Sequence, residues 1–150
     1  MLQRELQVLV LSLLIVVLTA PIALGALYYV KLDKGKLRAG PATSYDILWI
    51  LPKYYPVEHL ATYKKWLAVR IASKTVGWIH SDVLGRGEGA VVILDQVNVR
   101  AMPDSNSKKL FSLPKNYTVL ILEAKGDWLQ IKDQDGAVGW IIKRSVWISK

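Results

Sequence analysis

From Tyr28 onward, apolar and polar residues follow one another in short runs rather than with a helical period. In the second half of the chain, β-branched and aromatic residues alternate with polar ones, the spacing of half-buried strands. No ten-residue stretch after Tyr28 has a helical period. The pattern therefore predicts an all-β fold, with strands in this half over residues 90–94, 97–100, 109–113, 117–123, 128–132 and 138–142.

The chain contains an internal repeat. Residues 36–84 align without a gap with residues 98–146 at an offset of 62, and 16 of the 49 aligned positions are identical. Average residue usage would give about three identities by chance. The aligned identities include Leu51-Pro52-Lys53 with Leu113-Pro114-Lys115, and Val76-Gly77-Trp78-Ile79 with Val138-Gly139-Trp140-Ile141. The duplication predicts two structural units of the same kind.

Residues 85–89, Gly-Arg-Gly-Glu-Gly, divide the two copies. A glycine-rich polar stretch is typical of a domain boundary, so we expect one unit over residues 28–84, a linker over 85–89 and a second unit over 90–150. Residues 133–136 have the chemistry of a hairpin turn, and residues 72–75 hold the equivalent place in the first unit. About five short strands in roughly sixty residues predict a small barrel for each unit.

The first 27 residues differ from the rest. Residues 8–18 are apolar and uncharged, and they are followed by Pro21 and the small residues Ala23 and Gly25. This layout is typical of a secretory signal peptide cleaved after Gly25. Residues 6–27 also approach the length of a membrane span, so the segment is either a signal peptide or an uncleaved hydrophobic helix that anchors the chain in the membrane. Both alternatives predict an exported protein, periplasmic or anchored in the inner membrane, with residues 28–150 outside the cytoplasm.

The charge balance favours negatively charged partners. The chain has 20 Lys and Arg against 12 Asp and Glu, for a net charge of +8. Such a charge suits acidic polymers or anionic surfaces, although it also serves solubility alone. The chain has no cysteine, and its two histidines, His59 and His80, occupy non-equivalent positions in the repeat. We therefore expect no metal site, no cofactor and no catalytic role.

Several segments resemble bacterial SH3-like domains. Residues 36–41, Lys-Leu-Arg-Ala-Gly-Pro, with Ser44-Tyr45, resemble the opening motif of that family. Residues 66–70, Trp-Leu-Ala-Val-Arg, with Gly77-Trp78-Ile79, resemble its closing strands. The second copy keeps most of both motifs but has Met102 and Ser107 where the family has glycine and often tyrosine. The resemblance implies two tandem SH3-like barrels that follow the N-terminal hydrophobic helix.

The resemblance also implies that the chain binds rather than catalyses. Its implied ligand is cell-wall peptidoglycan, through the stem peptide or the glycan, with the chain as a non-catalytic envelope scaffold. The alternative is a module that docks an extended segment of another envelope protein. Membrane contact is expected through the N-terminal segment if it is uncleaved. Nucleic acid is not an expected partner, because the predicted export argues against it.

The candidate ligand groove lies in the first unit, which is the richer in aromatic residues, Tyr63 included. SH3-like barrels hold extended ligands in aromatic-lined grooves. Arg38 is expected either to bridge its loop to a carboxylate of its own barrel or to meet an acidic ligand. Trp78 and Trp140, after Gly77 and Gly139, are expected in the core. The groove candidates are Arg38, Tyr45, Trp49, Tyr54, Tyr55 and Trp66, with Arg100, Tyr117 and Trp128 in the second unit.

Overall fold

The computed structural model describes residues 26–150, which form strands and two short 3₁₀ turns. The predicted all-β class is thereby confirmed. The predicted signal peptide or anchor helix falls almost wholly on residues 1–25, outside the described part of the chain. Between residues 26 and 150, no helix is both long and apolar enough to cross a membrane. The strands of the first barrel are β1 (Tyr28–Val30), β2 (Lys34–Arg38), β3 (Ile47–Pro52), β4 (Pro56–Tyr63), β5 (Trp66–Arg70), β6 (Val76–His80) and β7 (Leu84–Arg86).

The second barrel repeats the first almost residue for residue. The five strands β2 to β6 and their counterparts β9 to β13 begin and end 62 positions apart, the offset of the sequence repeat. The 3₁₀ turns, Ser81–Val83 and Lys143–Ser145, are also 62 apart. The predicted duplication is confirmed in the structure. The strands are β8 (Gly89–Val92), β9 (Gln96–Arg100), β10 (Lys109–Pro114), β11 (Thr118–Lys125), β12 (Trp128–Lys132), β13 (Val138–Ile142) and β14 (Val146–Trp147).

Each barrel is one seven-stranded antiparallel sheet. The strand order is β3-β2-β6-β5-β4-β1-β7 in the first and β10-β9-β13-β12-β11-β8-β14 in the second. The hairpins β4–β5 and β5–β6 set the register, with Tyr63 opposite Trp66 and Trp66 opposite His80. Residues directly opposite in antiparallel strands have Cβ atoms about 4.5–5.5 Å apart, so these three side chains form one row.

The two cores share most of their positions, with buried Ile71 of the first replaced by Asp133 in the second. Eight pairs of buried residues, each 62 apart, line the interiors. The exchanges are conservative, such as Leu37 for Val99 and Val69 for Ile131, which keep the volume near what close packing requires. The remaining pairs are Val30 and Val92, Leu51 and Leu113, Val57 and Val119, Leu67 and Leu129, Ile79 and Ile141, and Leu84 and Val146.

Three turn positions adopt the left-handed conformation in both barrels. Tyr54 and Asn116 have φ of 66° and 68°, Lys64 and Gly126 have 54° and 56°, and Lys74 and Gly136 have 71° and 95°. Only glycine takes this conformation without a steric penalty. Asparagine tolerates it better than tyrosine does, so the second barrel has the better-suited residue at all three turns.

The segment over residues 85–89 is built into the sheets and is not the free linker that its composition suggests. β7 extends to Arg86 and pairs with β1, and β8 begins at Gly89. The Gly87 N–H donates to Leu27 O at 3.0 Å, and the Ile121 N–H donates to Glu88 O at 2.8 Å. Neighbouring side chains leave no room for a larger residue here, since a Cβ on Gly85 would stand 2.6 Å from the Tyr29 ring.

The barrels touch where this segment crosses. A Cβ on Gly89 would collide with the backbone oxygen of Tyr54. The Thr118 hydroxyl of the second barrel donates to Lys53 O of the first at 2.5 Å, and Gln134 Nε2 donates to the same hydroxyl at 2.8 Å. Buried Thr118 is thus satisfied across the contact, as a buried hydroxyl must be.

Candidate functional site

The row Tyr63–Trp66–His80 crosses the ends of strands β4, β5 and β6 on the outside of the first barrel. The Trp66 and His80 rings meet edge to face, with centroids 5.1 Å apart and planes at 88°. Such an arrangement stabilises the pair beyond the area that it buries. The row forms the floor of an open groove.

The loop between β2 and β3 supplies the facing wall. This aromatic groove, of about 760 Å³, is lined by Pro41, Ala42, Tyr45, Tyr63, Lys64, Lys65, Trp66, Trp78 and His80. Tyr45 lies against Gly40, where a Cβ would stand 2.5 Å from the tyrosine ring. Gly40 is therefore the residue that lets the Tyr45 ring lie against its own loop.

Arg38 fixes that loop from beneath. Its Nη1 donates to Thr43 O at 3.0 Å and to Tyr45 O at 2.9 Å. The partners are backbone carbonyls, not the carboxylate that the sequence suggested as one alternative. A charged donor to a carbonyl contributes more than a neutral one. Arg38 thus holds Tyr45 in place, and Arg100 holds the equivalent loop through Ser107 O at 2.8 Å.

A second, smaller groove continues past Trp66 and His80. This basic groove of about 260 Å³ is lined by Lys34, Lys36, Arg38, Thr43, Trp66, His80 and Val83. The two grooves together have five Lys and Arg among their lining residues and no Asp or Glu. Asp82 is the nearby acid, with Oδ2 3.5 Å from His80 Nδ1, and its side chain is 77% exposed. The surface therefore favours an anionic group beside an aromatic one.

The structure brings together some of the predicted site residues and separates others. Tyr45 and Trp66 share the aromatic groove, and Arg38 lines the adjoining basic groove. Trp49 and Tyr55 lie elsewhere, in a cleft between the barrels. Tyr54 is 6% exposed and packs edge to face on Tyr29 at 5.8 Å, so it is a buried residue and not a groove residue.

The inter-barrel cleft, about 510 Å³, has no charged residue in its lining. Burial there raises the pKa of the Tyr55 hydroxyl, against a smaller opposing effect from its bond to the Ala72 backbone. The equivalent Tyr117 also has a raised pKa, mainly through burial and further through the negative charges of Asp133 and Asp135. The cleft is lined by Trp49, Ile50, Leu51, Pro52, Tyr55, Ile71, Ala72 and Ser73, with Val91, Ile93, Asn116 and Trp147 from the second barrel.

The second barrel offers a poorer groove. Its pocket of about 220 Å³ is the counterpart of the basic groove, with Arg100 and Trp128 at the places of Arg38 and Trp66, and Tyr117 lies outside it. The positions of Tyr45, Tyr63 and His80 are taken by Ser107, Lys125 and Ile142. Two aromatic rings and one imidazole are therefore absent from the surface equivalent to the aromatic groove.

The tryptophans predicted for the core differ from each other. Trp140 is 9% exposed and Gly77 and Gly139 are buried, whereas Trp78 is half-buried and lines the aromatic groove. Both tryptophans lie on the strand face opposite the buried glycine and isoleucine of their motif, and only Trp140 is covered there. The expected core position is thus wrong for Trp78, which lies in the lining of the aromatic groove.

Sequence reasoning passed over Lys64, Lys65 and His80 as groove residues. The usable signal was register: a tight turn at Lys64-Lys65 places Tyr63 opposite Trp66, and the next hairpin places His80 opposite Trp66. Within residues 26–150, no three His, Cys, Asp or Glu side chains are grouped closely enough to hold a metal ion.

Comparison with protein families finds a bacterial SH3 domain twice, over residues 31–85 and again over residues 95–147. The chain is a tandem bacterial SH3 domain protein. The resemblance carried by its opening and closing motifs is thereby confirmed, and the two matches coincide with the two barrels. Bacterial SH3 domains are typically binding modules. No curated protein matches the chain.

Among solved structures, the chain aligns with NlpC2 of Trichomonas vaginalis at 18% sequence identity and a TM-score of 0.37. The alignment covers 82% of this chain and 48% of NlpC2. NlpC1 of the same organism aligns at 18% sequence identity and a TM-score of 0.36, covering 81% of this chain and 45% of NlpC1. An NlpC/P60 family protein of Bacillus cereus aligns at 12% sequence identity and a TM-score of 0.35, covering 83% of this chain and 57% of that protein. The chain thus spans about half the length of these proteins.

Proposed function

We propose that the first SH3 barrel binds cell-wall peptidoglycan through the aromatic groove, and that the chain is a non-catalytic scaffold of the cell envelope. The single observation that carries the proposal is the row Tyr63–Trp66–His80 with Tyr45 opposite it, in a groove flanked by lysines. This arrangement supplies both stacking surfaces and positive charge.

The chemistry of the groove fits the two parts of that polymer. Tyr45 and Tyr63 are 49% and 51% exposed, so their rings offer apolar faces that can stack on sugar rings or on peptide side chains. The carboxylates of a stem peptide suit Lys64 and Lys65 at one end and Lys34 and Lys36 at the other. The groove also has the extended, aromatic-lined form in which SH3-like barrels hold peptides.

The proposal places the barrels outside the cytoplasm. Its basis is the apolar stretch over residues 8–18, which suits a cleaved signal peptide or a membrane anchor. Mass spectrometry of the mature N-terminus distinguishes the two, because cleavage after Gly25 leaves Ala26 as the first residue.

The test is retention of the full chain on purified peptidoglycan sacculi at moderate and at high salt. Trp66→Ala is expected to reduce retention about tenfold, the size of effect that loss of one central aromatic anchor produces. Trp128→Ala, the same change in the second barrel, is the matched control and is expected to retain most of the binding. Retention that vanishes at high salt and is unaffected by Trp66→Ala would be charge attraction alone and would contradict the proposal.

The second candidate function is docking of an extended acidic segment of another envelope protein in the same groove. The two connected grooves with five lysine and arginine side chains favour it, because they suit an acidic peptide as well as a stem peptide. Competition separates the candidates. Soluble peptidoglycan fragments that fail to displace a bound acidic peptide, together with absent sacculus binding, favour the protein ligand.

A further inference from the structure

Strand β3 is an exposed edge of the first barrel. Among the described residues it hydrogen-bonds to β2 alone, so its outer row of N–H and C=O groups has no strand beside it. Its residues Ile47, Leu48, Trp49 and Ile50 are 44%, 44%, 48% and 56% exposed. An exposed apolar edge is a template for pairing with another chain.

The equivalent edge of the second barrel is protected. β10 reads Lys-Leu-Phe-Ser where β3 reads Ile-Leu-Trp-Ile. A lysine on an edge strand is the common device against edge-to-edge pairing. The repeat therefore retains this protection in the second barrel and lacks it in the first.

The charges at the two ends of β3 match those of its own copy. Asp46 precedes the strand and Lys53 follows it. In an antiparallel pair, the start of one strand lies at the end of the other, so two copies bring Asp46 of each towards Lys53 of the other. The equivalent residues in the second barrel are Lys108 and Lys115, which would repel in the same arrangement.

We infer that two copies of this chain associate through β3, as an antiparallel pair about a two-fold axis. Such an interface is self-complementary, the commonest form of homodimer. With a net charge of +8 on each chain, copies repel over most of their surfaces. The uncharged run of β3, bounded by opposite charges, is a place where that repulsion is absent. This association goes beyond the proposed groove and does not depend on its ligand.

The test is sedimentation of the full chain over a range of concentrations, in one mild detergent for all variants. The wild type is expected to form dimers. Asp46→Lys and Lys53→Asp are each expected to weaken association about tenfold, because each places like charges together. The double variant, Asp46→Lys with Lys53→Asp, is expected to restore it. A monomeric wild type, or single variants that associate like the wild type, would overturn the inference.

A cross-link provides a second readout that needs no charge change. The chain has no cysteine, so one introduced thiol reports on one position. Under mild oxidation Ile50→Cys is expected to yield covalent dimers, and its matched control, Ser112→Cys on β10, is not. Equal cross-linking of the two variants would show association through another surface and would overturn the inference.

Discussion

The row that floors the aromatic groove, Tyr63–Trp66–His80, corresponds in the second barrel to Lys125–Trp128–Ile142. Both rows lie on strands that begin and end 62 positions apart. The duplication has thus preserved the scaffold and the central tryptophan but not its neighbours. What differs between the barrels is the surface that each presents.

The two barrels also differ in net charge, and the first is the more positive. Residues 28–84 have nine Lys and Arg against four Asp and Glu, a net of +5, whereas residues 90–150 have nine against six, a net of +3. Lys65 of the groove becomes Asp127, and Ala42 becomes Asp104. The eight positions shared by the two cores have exchanged only residues of similar volume, but buried Ile71 of the first barrel has Asp133 at its place in the second. The outer positions differ further, in charge and in aromatic content.

The strongest test of the shared scaffold is to open a cavity in each barrel at one equivalent position. Ile79→Ala and Ile141→Ala each remove a fully buried side chain. Each is expected to lower the free energy of unfolding of its own barrel by about 2–5 kcal/mol. Because few contacts join the barrels, Ile79→Ala should unfold the first barrel at denaturant concentrations where the second keeps its native amide signals by NMR.

The reciprocal variant is the control, since Ile141→Ala should spare the first barrel. If both barrels lose their native signals together in either variant, the contacts made by Gly89 and Thr118 couple them into one cooperative unit, and the comparison as two independent units fails.

A second test gives the groove of one barrel a residue from the equivalent surface of the other. Tyr45→Ser gives the first barrel the residue that the second has at position 107, and it is expected to reduce sacculus binding by about 1–2 kcal/mol, roughly tenfold. Retention is measured as for Trp66→Ala, with Ser107→Ala as the control, which removes the hydroxyl that accepts from the Met102 N–H in the second barrel and is expected to leave retention unchanged. Unchanged binding by Tyr45→Ser would remove Tyr45 from the proposed site.

The reverse exchange requires two changes. Gly40 leaves room for the Tyr45 ring, but Met102 stands at its equivalent in the second barrel. Ser107→Tyr alone is therefore expected to gain nothing, and Ser107→Tyr with Met102→Gly to gain measurable binding. Equal effects of the single and double variants would show that Gly40 and Tyr45 do not act as a pair.

Much of this fold could be predicted from the sequence, because a repeat with strict offset fixes equivalent strands and the alternation of side chains fixes their faces. The six strands expected in the second barrel lie within a few residues of β8 to β13. The short strands β7 and β14 could not be predicted, because they are stabilised by pairing with β1 and β8, which are near in space only after folding.

The candidate site was less predictable than the fold, because its residues also come together only after folding. Composition pointed to the first barrel and identified Tyr45 and Trp66. It could not separate them from Trp49 and Tyr55, which line the inter-barrel cleft, or from Tyr54, which is buried, because all of these residues lie close in sequence. Conversely, His80 joins the groove through the register of β5 against β6, which hairpin turns indicate and composition does not.

The smallest expected effect comes from the turns. Lys74 and Gly136 are equivalent left-handed residues, with φ of 71° and 95°, and neither lines the aromatic groove. A side chain in this conformation destabilises the folded state by about 1–2 kcal/mol. Glycine avoids that cost, but its greater conformational freedom in the unfolded chain offsets part of the gain in stability. Lys74→Gly should therefore stabilise the first barrel by up to about 1 kcal/mol, and Gly136→Lys should destabilise the second by a similar amount, both measured by thermal unfolding. Lys74→Ala, which keeps a Cβ, is the control and should not stabilise. A Lys74→Gly variant that melts below the wild type would mean that the lysine side chain, and not the backbone, sets the stability of this turn.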